Sequence, residues 1–159
     1  MQFLGAIGVL SLACYLTLCG GRVFRERLLQ LDGFLLLLRH IRGEIACFRT
    51  PKGEILARFQ NTALARAGFL SAAVGGELSS ALDACRARLY LDEGESAILS
   101  EFAKGFGTGF ASEELARCDL GIARLEAAIT ARREALPRTA KLYRTVVMCS
   151  ALAVVIVFI

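Results

Sequence analysis

The stretch Ala103-Lys104-Gly105-Phe106-Gly107-Thr108-Gly109 sets glycine at every second position of its last five residues, a spacing that lets neighbouring backbone N–H groups turn toward one anion. A cradle of that kind holds phosphate and would point to an enzyme. A nucleotide loop also needs a buried strand before it, and a lysine followed by serine or threonine just after the glycines. Here Phe110-Ala111-Ser112 follows, and Ile98, Leu99 and Phe102 before it have the spacing of a helix. The glycines therefore read as a flexible turn between helices that relieves the crowding of Phe106 and Phe110.

Other candidates for chemistry are few. His40 is the one histidine, so a histidine-based nucleophile site or a metal triad lacks its partners; within a long helical pattern it reads as a surface or partly buried residue. Of six cysteines, Cys47, Cys85 and Cys118 stand isolated, and Cys14, Cys19 and Cys149 sit in apolar runs. None has the pair spacing of a zinc knuckle or a redox motif, which suits small buried hydrophobes in a reducing compartment. The carboxylates fall on polar helix faces. A sequence pI near 8.9 admits nucleic acid, but the positive excess lies beside the apolar ends without an aromatic stacking platform. Attraction to anionic lipid accounts for it with fewer assumptions. The expectation is no catalytic, cofactor-binding or metal-binding residue, no small-molecule substrate and no nucleic acid.

The elements that would carry these residues are set out by charge. Mean hydropathy is +0.54 with 55% apolar residues, high for a soluble domain of 159 residues, and the excess sits at the two ends. Met1 to Gly21 and Thr145 to Ile159 hold no charged side chain, so all 19 basic and 15 acidic residues lie between Arg22 and Arg144. The first end is long enough to cross a bilayer core of about 30 Å as a helix. It lacks the positive start of a cleaved signal, since Arg22, Arg25 and Arg27 follow the apolar run. The second end is shorter and is extended by Leu142 and Tyr143, with Arg138, Lys141 and Arg144 able to snorkel and Tyr143 suited to the interface. The expected domains are thus a transmembrane helix at 1–21, a helical bundle at 22–144 and a transmembrane helix at 145–159. Basic residues crowding both inner ends place the bundle in the cytoplasm and both termini outside.

Within the block, Phe24, Leu28, Leu31, Leu35, Leu38, Ile41, Ile45 and Phe48 form the seam of a long amphipathic helix, thickened by Phe34, Leu36 and Leu37 until it must be central. Gly33 weakens it locally. Thr50-Pro51 restarts a helix whose seam continues through Ile55, Phe59 and Ala63. Gly68 to Gly76 reads as a connector, and Leu78, Leu82, Cys85 and Leu89 as a third helix. Asp92 and Glu95 have capping-box spacing for a fourth. Ser112-Glu113-Glu114 caps a fifth, with a heptad-like seam of Leu115, Cys118, Ile122, Leu125, Ile129 and Leu136 in which Arg132 is the polar intruder. Pro137 is expected to interrupt it and form a joint before the second membrane helix. No segment reads as strand. The fold class is all-α, an antiparallel bundle of five to six helices flanked by two transmembrane helices.

The order of these features resembles the stage III sporulation protein AB family. The resemblance rests on Gly20-Gly21-Arg22, on Glu44-Ile45 followed by Thr50-Pro51 and Glu54, and on Phe102 with Gly105-Phe106-Gly107-Thr108. Leu115, Cys118, Leu136-Pro137-Arg138 and Lys141-Leu142-Tyr143-Arg144 complete it. Gly109-Phe110 stands where the family pattern carries Ser-Asp, Glu114 where it carries glutamine, and Lys52 where it carries leucine. The resemblance implies a non-enzymatic membrane component of a channel-like complex between mother cell and forespore, in the mother-cell membrane around the forespore. Its cytoplasmic domain would be similar to the F-type platform proteins of type II secretion and type IV pilus machines. The implied partners are a secretion-type cytoplasmic ATPase, the other membrane components of the assembly, and lipid. Arg39, Arg42, Glu44, Gly105, Gly107 and Gly109 are the candidates for partner contact. Arg22, Arg25, Arg27, Arg138, Lys141, Tyr143 and Arg144 are those for the membrane interface. A membrane-anchored adaptor without a secretion role is the rival reading.

Overall fold

A computed structural model describes the backbone of residues 2–47, 52–74 and 76–158, and the side chains of residues 25–47, 53–74, 76–134 and 145. Among the described residues there are seven helices and no strand: α1 (Gln2–Cys47), α2 (Lys52–Arg58), α3 (Thr62–Arg66), α4 (Phe69–Val74), α5 (Leu78–Cys85), α6 (Glu93–Gly105) and α7 (Ala111–Phe158). The chain divides into two compact units, Glu26–Thr130, and Met1–Arg25 with Ala131–Ile159. The second unit contains the first part of α1 and the last part of α7. Among the described residues no helix is long and apolar enough to cross a membrane. The expected spanning stretches, 1–21 and 145–159, lie outside the residues whose side chains are described, Thr145 excepted.

In Glu26–Thr130 the long seam of α1 does what its spacing requires. Leu31, Phe34, Leu37, Leu38 and Ile41 are all buried, each such side chain contributing about 1.5–3 kcal/mol relative to exposure. Leu29 and Leu36 stay about half exposed, so α1 is covered on one broad face rather than all round. α7 runs antiparallel to α1. Arg39 meets Glu126, and Arg42, further along α1, meets Asp119, earlier on α7. α6 runs antiparallel to α7 by the same logic, Glu101 pairing with Arg124 while Gly105 lies against Arg117. Cys118, Leu125 and Ile129 are buried as the α7 seam predicts.

Three expectations are corrected. The Gly68–Gly76 connector contains a helix, α4, because Phe69 and Ala73 are one turn apart and both buried. Phe69 sits edge-on to Phe34 with ring centroids 5.0 Å apart, and that burial outweighs the flanking glycines. The helix expected to run through Phe59 and Ala63 is broken, since Asn61 caps α3. Its Oδ1 accepts the N–H groups of Ala63 and Leu64 at 3.0 and 3.1 Å, an energetically strong helix start. These short helices raise the number above the five to six expected. Finally, α7 is helical through Pro137. A proline removes one hydrogen bond from a helix, and the regular helix on either side carries the chain across it. The restart at Thr50-Pro51 lies outside the described residues.

Gly33 also has a purpose beyond weakening α1. A Cβ there would lie 2.9 Å from Asn61 Oδ1 and 3.1 Å from Leu64 Cγ, so the missing side chain lets the capped start of α3 rest on α1. The capping box at α6 is present as read: Asp92 Oδ1 accepts the Glu95 N–H at 2.8 Å, and Glu95 Oε2 accepts the Asp92 N–H at 2.9 Å.

Candidate functional site

The glycine turn joins α6 to α7, and its backbone does converge on an anion. That anion is supplied by the chain. Glu114, in the first turn of α7, is buried, and its Oε1 accepts the N–H groups of Gly107, Thr108 and Gly109 at 3.1, 3.2 and 3.1 Å. Gly107 has φ +81°, a conformation that costs glycine little and other residues more, and this bend turns successive amides inward. Arg117, one turn further along α7, donates to the same Oε1 at 3.1 Å and to the Gly105 carbonyl. The Thr108 hydroxyl closes the turn by donating to the Gly105 carbonyl at 2.8 Å. The cradle is thus filled by a side chain five residues after Gly109, which argues for a fixed corner rather than a loop awaiting a phosphate.

The charge of Glu114 is felt by Cys118, one turn along α7 and buried. Desolvation first, then the carboxylates of Glu114 and Asp119, push its thiol up to about 11. A thiol so placed is a small inert hydrophobe. Cys85 is buried as well, and Cys47 is exposed. Cys14, Cys19 and Cys149 lie outside the residues with described side chains. His40 is a structural residue: its Nε2 donates to the Ile55 carbonyl at 3.2 Å and its ring packs on Phe59. Among the described residues no cluster of His, Cys, Asp and Glu has the makings of a metal site.

Arg39 and Arg42 stand on an exposed side of α1, paired with Glu126 at 2.6 Å and Asp119 at 2.5 Å. The hydrogen bond and charge of Asp119 hold the Arg42 guanidinium still more firmly protonated than usual. Glu44 is half-buried on the same helix. The structure thus sets Arg39 and Arg42 beside α7, and the glycine turn at the N-terminal end of α7. Of the membrane-interface candidates, Arg25 is exposed and Arg27 is turned into the protein, toward Asp92 and Glu95 at 3.8 and 3.6 Å. The side chains of Arg22, Arg138, Lys141, Tyr143 and Arg144 lie outside the described residues.

Two buried polar residues escaped the sequence reading. Glu114 looked like one of a pair of helix-start carboxylates, and only its distance from the glycines hinted at more. Gln30 interrupts the leucines of α1; its side chain donates to the Arg88 carbonyl at 3.2 Å and accepts the Tyr90 N–H at 2.8 Å. A polar residue inside an apolar seam was the available signal.

The family model of stage III sporulation protein AB matches residues 2–159. The chain belongs to that family. The match spans both the bundle and the two ends, so stage III sporulation protein AB membership covers the chain as a whole. A solved structure of stage III sporulation protein AB is similar at a TM-score of 0.57 and 19% identity, covering 71% of this chain and 98% of that one. At that identity the likeness speaks for the fold. No curated protein matches the chain.

Proposed function

We propose that the chain is a non-enzymatic platform in a secretion-like channel complex between mother cell and forespore during endospore formation. Its helical body faces the cytoplasm and offers a surface to a secretion-type ATPase. Two membrane helices, at 1–21 and 145–159, hold it to the membrane subunits of the assembly, in the mother-cell membrane surrounding the forespore. The observation that carries the reading is a family match over the whole length, 2–159, on a chain whose charge-free ends bracket a basic-flanked body. The reading is supported by the Glu114-filled turn, which uses the chain's anion-binding backbone for architecture. It is also supported by Arg39 and Arg42, which line an exposed side of the body as a docking face would require. Arg22, Arg25, Arg138, Lys141, Tyr143 and Arg144 serve the lipid interface in this scheme.

Cysteine accessibility in intact vegetative cells made to express the chain, where the outer face of the membrane is open to the medium, tests its topology. With native cysteines replaced, single cysteines placed at each terminus should react with a membrane-impermeant maleimide, and one at position 62 should react only after permeabilisation. Reversed labelling would overturn the topology. Affinity purification of the full chain should recover the ATPase together with membrane subunits; recovery of one soluble client alone would favour an adaptor without a secretion role.

A further inference from the structure

We propose that Phe110 is the anchor of a protein–protein contact, entering an apolar socket rimmed by a lysine or arginine that meets Glu113, on the ATPase partner proposed above. The inference rests on the platform reading and names where that surface grips its partner. The first observation is contrast. Phe34, Phe69, Phe102 and Phe106 are exposed by 3% or less, whereas Phe110 is 80% exposed, well beyond Leu36, Val74 and the other exposed large apolar residues, which lie between 45% and 51%. An isolated exposed leucine needs no account. An almost fully exposed phenylalanine forgoes most of the burial that its size could bring.

The second observation is rigidity. Phe110 follows directly on the three amides that Glu114 holds, and its own carbonyl accepts the N–H groups of Glu113 and Glu114, each at 3.0 Å. The backbone is fixed on both sides, so docking orders little beyond one ring, and a preorganised aromatic is the kind of residue that dominates interface energetics. Gly107, Gly109 and Ala111 around it carry almost no side chain, which leaves the ring clear for insertion.

Charge selects the partner class. From Gly105 to Glu113 the one ionisable side chain is Glu113. Its Oε2 lies 2.6 Å from where a Cβ on Gly109 would be, so the carboxylate folds back over Gly109, the residue before Phe110. A carboxylate next to the aromatic disfavours an anionic lipid surface and calls for a cation at the socket rim.

The test uses the full-length chain in detergent and the purified ATPase. Phe110→Ser should leave the thermal midpoint unchanged while weakening ATPase binding at least tenfold, and Glu113→Lys should weaken it several-fold. Leu120→Ser, exposed further along α7, should bind as the unaltered chain does. Unchanged binding by Phe110→Ser, with the unaltered chain binding, would overturn the anchor and leave the platform reading standing. Absence of binding by the unaltered chain would overturn the platform reading itself and the anchor with it. Binding to anionic vesicles that drops in Phe110→Ser while ATPase binding holds would assign the ring to lipid and also overturn the proposal.

Discussion

Oε1 of Glu114 lies 3.1 Å from the amide nitrogen of Gly109, five residues earlier in the chain. The same oxygen holds Gly107, Thr108 and Arg117, so the α6–α7 corner is built around one buried acceptor. Removing it takes away the shared acceptor of three backbone donors and Arg117 at once, and water reaching this exposed turn replaces it only in part, so the loss is that of several charge-assisted bonds.

Glu114→Ala should therefore lower the unfolding free energy by roughly 2–4 kcal/mol, read from urea denaturation of the full chain in detergent. Glu114→Gln keeps a carbonyl oxygen for the amides and should lose less than half as much. Equal loss in both variants would mean that the charge, shared with Arg117, matters more than the acceptor geometry.

Cys118 gives a prediction in pH. Its folded-state value near 11 stands above the ordinary 9.0, so the folded chain keeps a proton that the unfolded chain releases. The stabilisation is complete below about pH 9 and is lost as pH rises toward 11, with a slope of at most about 1.4 kcal/mol per pH unit from this group. Cys118→Ala should flatten that alkaline limb, measured as stability between pH 8.5 and 10.5. In the native chain at pH 8, mass mapping after maleimide treatment should find Cys47 modified and Cys118 protected.

The large features were legible because they follow from periodicity and charge. The α1 seam through Leu31, Phe34, Leu38 and Ile41 and the α7 seam through Cys118, Leu125 and Ile129 repeat over many turns, so each residue corroborates the next. The Asp92–Glu95 box was legible because its two hydrogen bonds join residues three apart. α4 was missed because six residues hold only two buried apolar positions, and Phe69 declares itself through Phe34, thirty-five residues away. Glu114 was read as a helix-start charge, which it also is; its second role depends on the bend at Gly107, and no local pattern encodes where that bend sends the amides.

Gln30 is the polar counterpart of the α1 seam. Its amide satisfies the Arg88 carbonyl and the Tyr90 N–H, tying the turn after α5 to α1. Gln30→Leu is nearly isosteric and more apolar, yet it should destabilise by about 1–3 kcal/mol because both backbone groups lose their partner. Hydrogen exchange should show the change locally, with the Tyr90 amide losing protection before the amides of α1. Exchange accelerated equally throughout would indicate a loss of packing instead.

Arg39 and Arg42 allow stability and docking to be separated. Both pairs, with Glu126 and Asp119, lie on the exposed seam between α1 and α7, where water screens the attraction and the net gain is small. If the two arginines mattered only for the fold, replacing them would change little anywhere. If they form part of the ATPase-facing surface, the double variant Arg39→Ala/Arg42→Ala should melt as the parent does while its affinity for the ATPase falls about tenfold, the equivalent of roughly 1.4 kcal/mol. Reversing both pairs, with Arg39→Glu and Glu126→Arg combined with Arg42→Asp and Asp119→Arg, restores the intramolecular bridges but inverts the charge each helix presents. Recovery of binding in that variant would assign the arginines to the fold, and continued loss would assign them to the partner.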